Sequence, residues 1–541
     1  MSRRSFAVAA SAVWMLSLSS AALAKGADGS VPTVPVGLPV APPPQASKKP
    51  APLPAVPAPP ANPAERSTWL KAHLDETFAA PALAGAKVSV VVLDSETGKP
   101  IYARGEKLSL NAASNVKVVT TAAALTLLGP EFRWRTALYA APAENGRAVS
   151  GGEVAGDLFL KTSGDPTLDT QDLTSLAAGL AASGVKRVRG GLVVDTTAFD
   201  AATVGPAFDQ KDESAAFRAP SSAASLNGNA VAVTITPGPA AGSRARVVLD
   251  PPSPHLVLAG SVITSARGPA APGVETGDAG NGQTRVTVSG RIRLGSEPRT
   301  YLRRVTRPEL YLGQTLRQVL AKRGITIDKP VRVEAAPTDG LRTLAVHDSP
   351  PLAVVIHELG KRSSNFHAEQ LVRTLGGEVM GRPGTWHKGM EAVAKYLDGI
   401  GIAKGSYTMI NGSGLYDSNR FSAEQIATVI RASMRDFRIA SEFMSSLAVG
   451  GADGTLAHRM AGTAAQRYVR AKTGTLEKVS CLSGLAGAPG QKPLVFSILM
   501  NDIRSPLEAR TLQDRASEIL VDYLDPVLFK PQTAPRAEAQ R

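Results

Sequence analysis

From Leu108 to Pro130 the chain carries a single charged side chain, Lys117, and residues 111–130 read "NAASNVKVVTTAAALTLLGP". A helical Ala/Leu/Val run without a polar face has to be enclosed on all sides, so the fold must wrap other elements around it. The pattern stops at Gly129-Pro130, because proline cannot continue a helix and disfavours helical geometry at the residue before it. Ser114 precedes Lys117 by three residues, and i,i+3 spacing puts both side chains on one helix face. A serine hydroxyl is a weak nucleophile until a neighbour takes its proton. Lysine serves as that neighbour only where burial lowers its pKa, since desolvation disfavours the ammonium form. On this segment alone two readings stand, a buried base or a lysine that snorkels to water.

The remainder of the chain supplies the enclosing elements. "ERSTWLKAHLDETF" (65–78) has helical spacing, and the strand-like segments "AKVSVVVLD" and "PIYAR" are joined by the turn "SETGK". Between about 140 and 340, short alternating stretches separated by Gly/Pro/Asp/Asn turns predict a β-rich region with two helices inside it. Helical patterns resume at 350–377 and continue to "SAEQIATVIRASM". The chain ends in strands, "RYVRAKTGTL", "KVSCLSGLAG" and "PLVFSILMN", followed by a closing helix. Strands at both ends with helices between predict one α/β (α+β) domain whose parts, 65–140 and 342–530, pair across an inserted β-rich region at 141–341.

The 541 residues suffice for roughly two to four domains. Residues 1–24 read as a signal peptide: Arg3 and Arg4 open it, Phe6 to Ser20 is mostly apolar, and Ala22-Leu23-Ala24 fits a small-x-small cleavage site. "SRRSF" also fits a twin-arginine export signal. Residues 25–64, rich in Pro, Ala and Val, read as an extended spacer that builds no core. Loss of Arg3 and Arg4 takes the formal net charge from +14 to +12, a balance that suits anionic envelope polymers and equally plain solubility. No Lys/Arg cluster with interleaved aromatics points to nucleic acid. Cys481 is the only cysteine, so no intramolecular disulfide forms, and its apolar run places it in a core strand. No later stretch is long and apolar enough to span a bilayer, and the polar tail 531–541 has no amphipathic anchor; stable membrane insertion is not expected.

Three short motifs carry the chemistry. Ser-x-x-Lys occurs at Ser114/Lys117 and again at Ser183/Lys186, where Gly184 ends a helix and the pair reads as loop. Ser-x-Asn occurs at Ser109/Asn111, Ser225/Asn227 and Ser363/Asn365, the last in the cationic turn "GKRSSNF" between two helices. Lys-Thr-Gly occurs once, at Lys472, Thr473 and Gly474, in a strand whose glycine lets the backbone approach a ligand. There Lys472, Thr473 and Thr475 are placed to receive a carboxylate, and the Thr475 N–H to donate to an oxyanion. No cofactor or metal is expected: His357 and His367 are ten residues apart, "HELGK" lacks the second histidine of a zinc helix, and Asp165-Pro166 reads as a turn.

In this order, Ser-x-x-Lys, Ser-x-Asn and Lys-Thr-Gly are the signature of penicillin-recognising serine enzymes. The chain resembles the D-alanyl-D-alanine carboxypeptidase/endopeptidase family, the class C low-molecular-mass penicillin-binding proteins, from about 70 to 525. "SGDPTL", "APSSAASLNGNAV", "SNFHAEQLVRTLGG", "NGSGLYDSNRFS" and "GGADGTLAHRM" extend the match. The resemblance implies a penicillin-binding-protein/β-lactamase-like domain, an antiparallel sheet flanked by helices with a large insert. It implies that Ser114 attacks the bond between two D-amino acids in peptidoglycan stem peptides while Lys117 takes its proton. It further implies that Ser363 and Lys472 pass a proton to the leaving amine and that Asn365 holds Lys117 and the substrate amide. Thr473, Gly474 and Thr475 would bind substrate, and β-lactams would acylate Ser114. Ser364 stands where Asp is common, and "GPAFDQKDESAAF" matches poorly. The alternatives are a class A β-lactamase and a non-catalytic penicillin-sensing or wall-binding protein. The former needs a deacylating acid, but Glu369 and Glu391 sit in helical patterns, and Glu369 reads as a surface ion pair with Arg373, i,i+4.

Overall fold

Lys87–Asp94 (β1) is apolar almost throughout because helices cover both of its faces. The computed structural model describes residues 53–54, 56–268 and 271–525. The expected signal peptide, the spacer up to 52, Ala55 and the tail lie outside the described residues. After helix Pro63–Phe78 (α1), β1 and Pro100–Arg104 (β2) form a hairpin, and Val116–Leu128 (α2) follows. Beyond the insert come Leu352–Arg362 (α3), Asn365–Met380 (α4), Trp386–Gly399 (α5) and Ala423–Arg435 (α6). Ala448–Val449 (β3), Val469–Leu476 (β4), Val479–Ala486 (β5), Leu494–Asn501 (β6) and Pro506–Leu524 (α7) complete the domain.

The central sheet has the order β3-β4-β5-β6-β1-β2, antiparallel throughout. The N-terminal β1 pairs with the C-terminal β6, Val88 opposite Met500 and Val92 opposite Phe496. Period-two alternation divides each strand between two cores. Val88, Val90, Val92, Phe496 and Ile498 pack against α1 and α7, while Val91, Leu93, Val495 and Leu499 pack against α2 and its neighbours. Every residue from Val116 to Leu125 is buried, as an apolar helix without a polar face requires. The antiparallel sheet flanked by helices, with its β-rich insert, follows the sequence expectation, and Cys481 is a buried core residue of β5. The end of the Pro-rich run is not free of the domain: Leu53 and Val56 pack on the α1 core, and the Trp69 indole donates to Pro57 O at 3.2 Å. Among the described residues no helix is long and apolar enough to cross a membrane.

The insert builds its own core around a five-stranded sheet. Arg135–Ala140 and Arg342–Asp348, expected at the edges of the main domain, pair antiparallel within the insert's sheet. The insert therefore begins and ends a few residues outside 141–341, and the chain leaves and rejoins the main domain at one place. Domains with adjacent ends are readily accommodated within another fold. Asp165 forms the turn read from Asp-Pro, its Oδ1 accepting from Thr167 N at 2.8 Å. Arg373 of α4 fastens the insert to the helical layer. Its guanidinium donates to Ser221 O at 2.9 Å, to Asp200 O at 2.9 Å and to Asp200 Oδ1 at 2.6 Å. It lies between the rings of Phe199 and Trp386, 4.4 and 4.5 Å from their centroids.

Arg373→Ala breaks this buried pair and both stacking contacts. It should cost about 3 kcal/mol or more in urea unfolding. A loss below about 1 kcal/mol, the range of exposed pairs, would mean that the clamp contributes little.

Candidate active site

Ser114 stands in a 3-10 turn, Ala113–Asn115, that opens α2. The turn is fixed by close backbone approach from two sides. A Cβ on Gly414 would stand 1.9 Å from Ala113 O, and Gly414 has φ +74°, so only glycine lets the 411–415 loop cross the turn. From the sheet, a Cβ on Gly474 would stand 2.8 Å from Asn115 Nδ2 and 3.1 Å from Ala112 O. Glycine in the Lys-Thr-Gly strand therefore brings β4 onto the turn that carries Ser114.

Lys117 is fully buried, one turn into α2. Its Nζ lies 2.9 Å from Ser114 Oγ, 2.7 Å from Asn365 Oδ1 and 2.6 Å from Ser413 O. The amide orientation of Asn365 follows from its other end, where Nδ2 donates to Phe217 O at 3.0 Å. Two of the three Lys117 partners are pure acceptors and take two N–H bonds. The third direction faces Ser114, and there a neutral amine presents its lone pair. Burial, and then the charge of Lys472, push Lys117 well below its ordinary value, with Glu369 opposing. The lysine is thus a buried group and does not snorkel.

The second lysine is arranged similarly. Lys472 Nζ donates to Ser363 Oγ at 2.7 Å and to Thr473 O at 2.8 Å, and burial moves it from 10.5 to about 7. Ser363 terminates α3 in the left-handed region at φ 56°, and Ser364 caps α4 by accepting from His367 N at 3.2 Å. Serine replaces aspartate here without loss of function as a cap, since both are good N-caps. The charge of the cationic turn is used internally: Lys361 donates to Leu447 O at 2.6 Å and pairs with Asp453 at 2.8 Å. Ser114, Ser363, Asn365, Thr475, Phe217 and Tyr416 line an open groove of about 930 Å³. Of the Lys-Thr-Gly strand, Thr475 faces this groove, and Thr473 Oγ1 bonds Thr455 Oγ1 at 2.8 Å.

One expectation is corrected. Glu369 and Arg373 do not form a surface ion pair: they are 2 % and 0 % exposed, Arg373 pairs with Asp200, and Glu369 faces the 412–413 backbone. The i,i+4 rule describes exposed helix faces, and both residues lie on the enclosed side of α4. Sequence reasoning also passed over Ser413, whose carbonyl meets Lys117, and Phe217, which reaches the site from the insert. "NGSGLYDSNRFS" carried a signal for the first, as a matched family segment without an assigned role. Backbone carbonyls leave no mark on residue type, so neither contact was readable. Ser183/Lys186 falls at a helix end, as read.

The model of the D-Ala-D-Ala carboxypeptidase 3 (S13) family matches residues 70–523. A D-alanyl-D-alanine carboxypeptidase of Actinomadura sp. is 35% identical over 472 residues, covering 85% of each chain. The crystal structure of penicillin binding protein 4 (dacB) from Haemophilus influenzae has a similar fold, with TM-score 0.71 and 24% identity over 81% of this chain and 98% of that one. The same protein complexed with a novel β-lactam gives TM-score 0.67 at 24% identity, over 82% and 98% of the two chains.

The Lys472 shift implies a pH dependence of stability. Between pH 7 and 10.5 the folded protein holds fewer protons than the unfolded chain, so stability rises with pH across that window. Measured by urea unfolding, the stability of wild type relative to Lys472→Met should increase by roughly 3 to 4 kcal/mol from pH 7 to pH 10. A difference that stays flat with pH would show that Lys472 is protonated in the fold.

Proposed function

The chain belongs to the D-Ala-D-Ala carboxypeptidase 3 (S13) family and is a serine-type D-Ala-D-Ala carboxypeptidase, and on that premise we propose an acyl-enzyme route through Ser114. Neutral Lys117 takes the Ser114 hydroxyl proton as Oγ bonds to the carbonyl carbon of the penultimate D-alanine. The N–H groups of Ser114 and Thr475 receive the oxyanion, whose stabilisation is commonly the largest contribution to acyl transfer. On collapse the C–N bond breaks, and the departing amine takes a proton through Ser363 Oγ, which Lys472 resupplies. The proton held by Lys117 then replenishes Lys472, leaving Lys117 neutral again. Water attacks the ester, giving a proton to Lys117, which hands it to Ser114 Oγ as the ester C–O bond breaks. The shortened peptide leaves as its carboxylic acid, and Ser114 is restored. Asn365 holds Lys117 and the substrate amide, while Lys472, Thr473, Gly474 and Thr475 receive the terminal carboxylate.

The observation that carries this reading is the Lys117 amine, with two N–H bonds committed to Asn365 Oδ1 and Ser413 O and its third direction on Ser114 Oγ at 2.9 Å. The open groove is consistent with stem peptides, and with D,D cross-links as a second substrate. β-Lactams, which mimic the D-Ala-D-Ala unit, acylate Ser114 in this scheme. A leader at 1–24 and a Pro-rich spacer fit work in the bacterial cell envelope after export. A class A β-lactamase would need a free deacylating carboxylate, and Glu369 is committed to backbone donors.

Ser114→Ala should release no D-alanine from a stem-peptide analogue. Lys117→Arg, which stays protonated and so cannot present a neutral amine, should slow labelling by fluorescent penicillin about 10²–10⁴-fold. Normal labelling of Lys117→Arg would remove Lys117 from the mechanism. Mass analysis of digested peptidoglycan should reveal loss of single D-alanines, and loss of cross-linked dimers if endopeptidase activity is present; rapid nitrocefin turnover would return the β-lactamase reading.

A further inference from the structure

Glu369 has no part in the route above, yet its surroundings connect it to the base. It follows Asn365 by four residues on α4, so both side chains project toward α2 and the 411–415 loop. Oε1 accepts from Ser413 N–H at 2.9 Å, and Oε2 accepts from Gly412 N–H at 3.2 Å and from the Trp386 indole at 2.8 Å. The same two loop residues turn their carbonyls to α2: Ser413 O meets Lys117 Nζ at 2.6 Å, and Gly412 O meets Thr120 Oγ1 at 2.8 Å. The carboxylate therefore holds the donor side of a loop whose acceptor side holds the lysine.

We propose that Glu369 is a positioning residue that aims the Ser413 carbonyl at Lys117 and, by its charge, sustains the proton affinity of that amine. The inference rests on the reading of Lys117 as the base. Burial and Lys472 of β4 both act to expel the proton of that amine, and Glu369 is the group that opposes them. A general base works best when its pKa lies near the operating pH, so an amine that holds its proton too weakly is a poor acceptor. The other charged neighbour of Glu369 is Arg373 on its own helix, whose guanidinium is engaged by Asp200. Burial pushes Glu369 upward, while its donors and Lys117 pull it back.

The test is the rate of Ser114 acylation by fluorescent penicillin, per titrated active site, followed between about pH 5 and 10. Glu369→Gln removes the charge and turns an amide NH2 toward N–H donors, so one side of the loop loses its acceptor. Its acylation rate should fall about 10²-fold. The acid limb of its pH profile should move to lower pH by about one unit, because Lys117 loses the anion that favours its charged form. Glu369→Asp keeps the charge but draws it back by one methylene; its rate should fall while the acid limb stays near wild type. A purely structural role would lower the melting temperature and the fraction of active sites, and leave both the rate per site and the acid limb unchanged. An unshifted limb in Glu369→Gln, or a folded Glu369→Asp with the wild-type rate, overturns the proposal. Should Glu369→Gln not fold, the Glu369→Asp rate decides. Wild-type protein that takes up no label would sink the reading of Ser114, and this inference with it.

Discussion

A lysine amine enclosed in hydrocarbon must lose its proton or find an acceptor for each N–H that it keeps. Much of this structure serves that requirement for Lys117. The helix that bears it is apolar on all sides, which demands enclosure by α3, α4, α5 and α6 and by the sheet. Enclosure removes water, and the two acceptors that replace water come from distant segments, the Asn365 side chain and the Ser413 backbone. Lys472 meets the same condition with a hydroxyl and a carbonyl. Two buried amines thus stand each beside a serine hydroxyl at the groove, Lys117 by Ser114 and Lys472 by Ser363.

The site is assembled from pieces far apart in the chain, and its geometry depends on the sheet. Because β1 pairs with β6, the floor beneath Ser114 exists only when residues 87–94 and 494–501 have met. The Lys-Thr-Gly strand approaches the turn that carries Ser114 through Gly474, and the 411–415 loop through Gly414. At Gly414 the approach is backbone against backbone, and at Gly474 a Cβ would meet the Asn115 side chain and the Ala112 carbonyl, so neither position has room for a side chain.

The sequence was informative where residue type carries the physics. An acid-free apolar helix, a glycine in a strand and three motifs in order made the buried lysine, the approaching strand and the fold class legible from residue type alone. It was silent where the backbone acts. The Ser413 and Phe217 carbonyls are acceptors at the heart of the site, and any residue would supply them. Glu369 was misread for a different reason: its spacing to Arg373 obeys a surface rule, and only tertiary packing reveals that the face is interior. The end of the Pro-rich run was likewise read from composition as free chain, although Leu53 and Val56 find an apolar surface beside Trp69.

The bond from Asn365 Nδ2 to Phe217 O has a wider meaning for the insert. A side-chain amide has two nearly equal-sized ends, and nothing in its shape tells the oxygen from the nitrogen. Here the insert claims the NH2 end, leaving the oxygen for Lys117. Were that carbonyl withdrawn, the amide would become a two-way rotor, and half a turn would aim a donor at an amine that already has protons to give. The insert, although it rejoins the main domain at a single place, thereby acts as a polarity key for the centre of the enzyme. Any relative that trimmed this arm would need another carbonyl in its stead.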